Sequence, residues 1–194
     1  MSLLRAFIAL EIPPRVQENV YRATANLRRG TGSFIRWVPA ENMHLTLKFL
    51  GDISPANVEF LTQMIRTEAD AYHCFEIHLT GVGSFPNPKR PRVIYIRIQA
   101  PAELEALQHA VESGTRRLGY ESEDRSFSPH LTIGRVKNVL RISTADQQKI
   151  RHALEETKID SLGTARVDSI HLYKSDLKST GSVYTKLFSA PLKN

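Results

Sequence analysis

Apolar residues along the chain follow two periods, one typical of short strands and one typical of amphipathic helices. Short apolar runs predict strands at 5–10, 35–38, 45–50, 75–85, 93–98, 130–135, 167–173 and 183–188. Between them, apolar residues spaced by three and four predict helices that begin near Pro13, Ser54, Ala102 and Ser143. The first helix is expected to end at Gly30, and the strand 45–50 to end at Gly51. This mixture of helices and hairpin-like strands predicts an α+β fold with a mainly antiparallel sheet.

One tetrad occurs twice, as His44-Leu45-Thr46-Leu47 and as His130-Leu131-Thr132-Ile133. The elements after each copy also repeat: a helix opened by serine, a strand that contains Ile-His-Leu, a turn and another strand. We therefore expect a single bilobed domain over residues 1–194, with repeat halves of roughly 1–90 and 91–194. Its two pseudo-symmetric lobes would each be a mainly antiparallel sheet with flanking helices, and the active-site cleft would lie between them.

A third His-Leu-Thr, at His78, occupies a different place in the repeat. It aligns with Ile170-His171-Leu172 rather than with either tetrad. We therefore interpret His78 and His171 as structural or cleft-flanking residues.

Strand geometry gives the repeated tetrad a chemical meaning. Because side chains alternate between the faces of a strand, His44 and Thr46 share one face and the neighbouring leucines share the other. His130 and Thr132 repeat the arrangement. If the lobes face each other, two imidazoles and two hydroxyls converge on one cleft. One neutral imidazole could accept a proton from water and one imidazolium could donate a proton to a departing oxygen, which suits hydrolysis of a phosphodiester.

Positive charge near the tetrads would stabilise the transition state of such a reaction. Arg135 is the best candidate, although strict alternation would point it towards the core. The glycine before it, Gly134, could host a β-bulge that turns Arg135 to the histidine face. Alternation also places Lys48 on the face of His44 and Thr46. The aromatic candidates for stacking on a base are Phe34, Trp37, Phe85 and Tyr184, and the loop around Lys89, Arg90 and Arg92 could follow an RNA backbone.

Composition narrows the partners and the compartment. The net charge is +6, which favours a polyanionic partner. The single cysteine, Cys74, excludes an intramolecular disulfide and a cysteine-rich zinc site. No apolar run approaches the roughly 20 residues of a membrane helix. We expect a cytoplasmic protein with no membrane partner, no metal and no cofactor; the sequence is silent on oligomeric state.

The two tetrads and their surroundings resemble the two-histidine (2H) phosphoesterase superfamily. Within it, the sequence is most similar to the RNA 2′,3′-cyclic phosphodiesterases, also called 2′-5′ RNA ligase-like proteins. The resemblance spans essentially the whole chain and rests on the segments Arg5–Leu10, Trp37–Gly51, Phe127–Arg135, Leu172–Ser175 and Gly181–Tyr184.

This resemblance implies hydrolysis of an RNA 2′,3′-cyclic phosphate, or of a cyclic nucleotide, to a 2′-phosphate without a metal. It implies that His44 is the proton donor to the leaving 3′ oxygen and that His130 is the proton acceptor that activates water. Thr46, Thr132 and Arg135 would hold the phosphate. It also implies weak, reversible joining of RNA ends through a 2′-5′ bond.

The residues alone leave open which histidine is the acid and which the base, and they leave three alternative functions open. Because the lobes look alike, spacing does not say which histidine is the acid. A related phosphodiesterase could act on ADP-ribose cyclic phosphate or on an oligoadenylate, and a noncatalytic RNA or nucleotide binder could keep the same cleft. A metallohydrolase is a third alternative, but no His-Glu-x-x-His spacing supports it.

Overall fold

The computed structural model describes residues 2–137, 142–178 and 181–194. The strands among these residues are Leu4–Glu11 (β1), Ile35–Trp37 (β2), His44–Ile53 (β3), Phe75–Phe85 (β4), Val93–Gln99 (β5), His130–Val136 (β6), Gly163–Val167 (β7), Ser169–Lys178 (β8) and Gly181–Pro191 (β9). The α-helices are Pro14–Ala23 (α1), Ala25–Thr31 (α2), Asn57–Ala69 (α3), Ala102–Arg117 (α4) and Thr144–Glu156 (α5). None of these helices is long and apolar enough to cross a membrane.

The strands form one antiparallel sheet that divides into two lobes. Its order is β7-β4-β5-β6-β3-β1-β8-β9, with β2 pairing to β6 as well. The two lobes are joined where β3 meets β6, through the single pair Leu45 and Leu131. Beyond that pair β3 leaves β6, and β2 takes its place along the edge of β6. The α+β class and the two-lobed architecture expected from the sequence are confirmed.

The first lobe consists of β3, β1, β8 and β9, and the second of β6, β5, β4 and β7. In each repeat, the strand with the Ile-His-Leu pattern therefore belongs to the lobe that contains the other repeat's tetrad. β4 belongs to the first tetrad's half of the chain but pairs with β5 and β7, whereas β8 belongs to the second half but pairs with β1. The boundary near residue 90 therefore separates the two sequence repeats, but each lobe contains strands from both repeats.

The helices lie against the sheet as their apolar stripes require. α3 and α4 pack on β3, β8 and β9 of the first lobe, α1 contacts β7 of the second, and α2 packs against α5. Leu61 and Ile65 of α3 and Leu104 and Leu107 of α4 are fully buried. The serine cap of α5 is confirmed, because Ser143 Oγ accepts a hydrogen bond from the Asp146 N–H at 3.1 Å.

Several predicted boundaries are wrong, each for a local reason. The first helix breaks at Thr24 and ends at Gly32, whose φ of 55° suits glycine, and not at Gly30. β3 continues through Gly51, because β1 pairs with it as far as Ile53. α3 begins at Asn57, and Ser54 forms a turn before it instead of capping it. The predicted strand 167–173 covers the first half of β8 and only the last residue of β7, and the two strands part at Asp168.

A β-bulge stands at the same place in both tetrad strands. Along β1 and β3, Ala9 pairs with Thr46 and Ile8 with Lys48, so Leu47 is the extra residue. Along β5 and β6, Tyr95 pairs with Thr132 and Ile94 with Gly134, so Ile133 is the extra residue. Each bulge reverses the alternation after it. The predicted bulge at Gly134 is therefore present.

The bulge makes the prediction for Lys48 wrong. Lys48 is turned into the interior and is 2% exposed. Its Nζ donates to Glu112 Oε1 at 2.8 Å and to the Glu121 carbonyl at 2.6 Å. The same carboxylate oxygen accepts the Glu123 N–H at 3.1 Å. This buried ion pair thus holds the loop that leads to His130 against the strand that begins with His44.

We expect Lys48→Met to lower the free energy of unfolding by about 3 kcal/mol, because it leaves the Glu112 carboxylate largely buried without its cation. Urea denaturation measures this change. The double variant Lys48→Met/Glu112→Leu should regain most of the loss, since it removes the stranded charge. A double variant less stable than Lys48→Met would contradict this account.

Candidate active site

The two tetrads meet in a cleft of about 580 Å³ between the lobes. Its lining includes both histidines and both threonines of the tetrads together with Arg135, that is, His44, Thr46, His130, Thr132 and Arg135. The structure therefore places all five predicted site residues in one cavity. Among the residues that the structure describes, no three His, Cys, Asp or Glu side chains are arranged to hold a metal ion.

The register of β3 and β6 explains why the tetrads converge. Leu45 pairs with Leu131 in antiparallel sense. That register sets His44 opposite Thr132 and Thr46 opposite His130, all on the face that the two leucines leave free. The two histidines are then diagonal neighbours, a relation in which residues lie about 7–8 Å apart. Because both imidazoles also line the same cavity, a phosphate group in the cleft can contact both of them.

Both imidazoles are held in the same way. His44 Nδ1 lies 2.8 Å from the Asn42 carbonyl oxygen, and His130 Nδ1 lies 2.8 Å from the Ser128 carbonyl oxygen. A carbonyl only accepts, so each ring donates from its Nδ1–H. In the neutral form the lone pair is then on Nε2, and this atom either accepts a proton or, in the imidazolium, donates one. The two rings are thus equally prepared for acid or base work.

Aromatic side chains surround each imidazole. His44 stacks on Phe7 with ring centroids 4.7 Å apart, and Tyr184 packs edge-on against His44 with ring centroids 5.1 Å apart. His130 forms T-shaped pairs with Phe85 and Tyr95, with ring centroids 5.0 Å and 5.4 Å from its own. Such surroundings exclude water and penalise the charged ring.

The pKa values of both histidines are lowered as a result. Burial lowers the pKa of His44 to about 4, and the charges of Arg135 and His130 add to that effect. Burial also lowers the pKa of His130, again with a contribution from Arg135. Both rings are therefore neutral at pH 7 in the free protein, and an anion between them would stabilise a proton on either one.

These shifts predict the pH dependence of turnover. If one ring must be charged and the other neutral, kcat/KM is bell-shaped, with its maximum between the two pKa values of the free protein. Because both pKa values lie below 6.5, we expect that maximum on the acid side of pH 6.5. The bell for kcat should lie at higher pH, since bound phosphate stabilises the imidazolium. Rates measured from pH 4 to 9 at constant ionic strength test this; a kcat/KM that is flat over that range would contradict the paired-histidine site.

The walls of the cleft differ in charge because the bulges expose different residues. After the bulge in β6, Arg135 points into the cleft; after the bulge in β3, Phe49 does so and is 57% exposed. Leu177 of β8 lies on the same wall as Phe49 and is 69% exposed. Arg36 of β2 lies on the wall of Arg135. The second-lobe wall of the cleft thus carries Arg135 and Arg36, and the first-lobe wall carries exposed apolar side chains together with Arg5 of β1.

Of the side chains predicted to contact a base or the RNA backbone, some line the cleft and others lie elsewhere. Phe85 and Tyr184 line the cleft, but Trp37 packs against Gly134. Phe34 and the loop with Lys89 and Arg90 are not among the cleft residues.

The remaining histidines of the Ile-His-Leu strands lie apart from the cleft. His171 is 3% exposed and lies between the hydroxyls of Ser169 and Ser189. His78 Nδ1 is 2.9 Å from the hydroxyl of Thr164.

Sequence reasoning missed Arg5, Phe7, Arg36 and Phe49 as cleft residues. For Phe49 a signal existed, because it occupies the position in its repeat that Arg135 occupies in the other. For Arg36 no signal existed, since only the pairing of β2 with β6 brings it to the cleft.

The fold and the site define a two-lobed protein with one His-x-Thr tetrad from each repeat facing a common cleft. The family described as LigT like Phosphoesterase matches residues 10–95 and again residues 96–184. The chain belongs to this family, and the resemblance drawn from the sequence is confirmed.

Relatives and solved structures agree with this membership. The chain is 30% identical over 184 residues to an RNA 2′,3′-cyclic phosphodiesterase of Methanothermobacter thermautotrophicus, covering 95% of this chain and 96% of the relative. It is also 30% identical to the protein of that name from Methanocaldococcus jannaschii, over 93% and 96% of the two chains. Its fold is similar to that of TT0787 of Thermus thermophilus, with a TM-score of 0.81, 26% identity and 98% of each chain covered. LigT of E. coli in complex with 3′-AMP shares the fold, with a TM-score of 0.77 at 24% identity over 99% of each chain.

Proposed function

We propose that this protein hydrolyses the 2′,3′-cyclic phosphate at the end of an RNA chain to a 2′-phosphate, without a metal or cofactor. The observation that carries the proposal is the pair of equivalent imidazoles, each fixed through Nδ1 and each lining one cleft with a threonine of the opposite lobe. The activity of the relatives named above supports the choice of substrate. The net charge of +6 suits a polyanionic substrate.

In the proposed reaction His130 is the base and His44 the acid, the roles that the family resemblance implies. His130 Nε2 accepts a proton from water as the water oxygen bonds to phosphorus. The bond from phosphorus to the 3′ oxygen breaks, and His44 Nε2 donates its proton to that oxygen. The hydroxyls of Thr46 and Thr132 donate hydrogen bonds to the nonbridging oxygens. The guanidinium of Arg135 stabilises the charge that they gain in the transition state.

The same sequence of steps, with a different nucleophile, would join RNA ends. A 5′ hydroxyl would take the place of water at the phosphorus, with the same two proton transfers, and would leave a 2′-5′ phosphodiester and a free 3′ hydroxyl. We propose this as a weak second activity of the same cleft.

We also propose that the reaction takes place in the cytoplasm, since the chain has a single cysteine, Cys74, and disulfides are typical of oxidising compartments.

Hydrolysis of a cyclic-phosphate oligonucleotide in excess chelator tests the proposed function. We expect undiminished turnover and a product that carries only a 2′-phosphate, identified by its ³¹P spectrum. A 3′-phosphate product would contradict the assigned leaving oxygen, and activity lost with chelator and restored by a metal would contradict metal independence. Binding of the oligonucleotide without turnover would identify a noncatalytic binder instead.

A further inference from the structure

Two arginines lie directly opposite each other on the second-lobe wall of the cleft. Arg36 of β2 pairs in register with Arg135 of β6, and directly paired residues of antiparallel strands point to the same face. Both side chains are exposed and both line the cleft. Within residues 2–137, 142–178 and 181–194, neither guanidinium forms an ion pair with a carboxylate. Like charges placed directly opposite destabilise a sheet, so this pair favours an anion.

The position of Arg36 is fixed by packing on the other face of β2. A Cβ at Gly134 would lie 2.7 Å from Ile35 Cγ2 and 3.0 Å from Trp37 Cε3. The side chains of Ile35 and Trp37, the two neighbours of Arg36, therefore occupy the space that a side chain at position 134 would need. Because Ile35 and Trp37 are held on that face, Arg36 must point to the opposite face, beside Arg135.

The two arginines stand in different relations to the histidines. Arg135 is close enough to depress the pKa of both His44 and His130, and it therefore belongs to the reacting phosphate. Arg36 is not among the groups that shift either pKa, and it lies one strand further from the histidines. On the opposite wall, beside Phe49 and Leu177, Arg5 of β1 pairs in register with an acidic residue, Asp52, whereas Arg36 pairs in register with a second arginine. A second phosphate of the same substrate would thus lie on the side of Arg36.

We propose that Arg36 binds the phosphodiester that precedes the terminal nucleotide, so that the cleft recognises an oligonucleotide end in preference to a cyclic mononucleotide. This inference rests on the proposed function. It adds to that function a second phosphate contact, which selects the length of the substrate and takes no part in the chemical step.

Three substrates test the contact of Arg36 with a second phosphate. The first, a nucleoside 2′,3′-cyclic phosphate, lacks the second phosphate. The other two, the same compound with a 5′-phosphate and a dinucleotide that ends in the cyclic phosphate, carry it. We expect kcat/KM of the unaltered protein to be higher for the last two. Arg36→Gln should lower kcat/KM for those two by about 10- to 100-fold, the scale of a lost charge-assisted hydrogen bond. It should change the mononucleotide by less than about threefold, so that the preference disappears. Arg36→Lys, which keeps the charge, should lose less.

Two controls distinguish the possible outcomes. Arg29→Gln removes the same charge from an exposed site on α2 outside the cleft and should leave the preference unchanged. Arg135→Gln should impair all three substrates. An equal loss on all three with Arg36→Gln, or no loss on any, would overturn the second-phosphate contact. If the unaltered protein turns over none of the three, the proposed function itself fails; turnover of all three with equal kcat/KM would overturn only the contact.

Discussion

Replacing either tetrad histidine by alanine is expected to lower kcat for cyclic-phosphate hydrolysis by at least about 100-fold. General acid and general base groups each contribute about 10²–10⁴ in rate. Among the described residues that line the cleft, His44 and His130 are the only histidines, so no third imidazole can replace either one. Single-turnover rates at saturating substrate measure the loss in the chemical step apart from binding.

His78→Ala is the matched control for these variants. His78 lies in a third His-Leu-Thr sequence, but its ring contacts Thr164 away from the cleft. We expect it to retain nearly full activity. A loss with His78→Ala as large as that with His130→Ala would mean that the repeat has been aligned wrongly.

The roles of acid and base can be separated with an altered leaving group. A cyclic phosphate with sulfur in place of the bridging 3′ oxygen releases a thiolate, which is far less basic than an alkoxide and needs little help from an acid. His44→Ala should therefore be much less impaired on the sulfur substrate than on the oxygen substrate. His130→Ala should be equally impaired on both. The opposite pattern would exchange the two roles.

Arg135→Gln is expected to lower kcat/KM by about 100-fold or more, the scale for removing one preorganised donor from a developing oxyanion. Its guanidinium lines the same cleft as both imidazoles and lowers the pKa of each, in a cleft with aromatic side chains, where a charge acts more strongly than it would in water. The loss should appear mainly in kcat, because the charge on the phosphate oxygens grows in the transition state.

The same change should also move the pH profile. Arg135 lowers the pKa of His44 and of His130, so its removal should raise both values and shift the kcat/KM bell towards neutral pH. Arg135→Lys, which keeps the charge but loses the planar fork, should leave the bell nearly in place and recover part of the rate. A bell that stays in place with Arg135→Gln would contradict the closeness of this guanidinium to the imidazoles.

The sequence predicts the tetrad histidines and threonines and their common face because the bulge in each strand comes after the threonine, so the alternation from histidine to threonine is intact. It predicted Arg135 because Gly134 suggested a bulge. The same bulge occurs in β3, but Lys48 stands there in the place of Gly134 and gives no sign of it. Strict alternation therefore predicts the wrong face for both Lys48 and Phe49. The correspondence of Phe49 with Arg135 in the two repeats is the signal in the sequence that places Phe49 at the cleft.

Other features could not be read from the sequence because they depend on contacts distant along the chain. The exchange of β4 and β8 between the lobes is set by which edges they pair with. The sequence does not predict the strand at 163–166, because only pairing with β4 makes this part of β7 a strand. Arg36 reaches the cleft through the packing of Trp37 on Gly134, more than ninety residues away along the chain.

A histidine-selective NMR titration in the presence of adenosine 2′-phosphate tests most directly whether both tetrad rings bind one phosphate group. The chain has seven histidines, and we expect the pKa of His44 and His130 to rise together from their depressed values when this nucleotide is bound. The other five should keep their values. A rise at only one of the two rings, or at neither while the nucleotide is bound, would contradict a phosphate held between them.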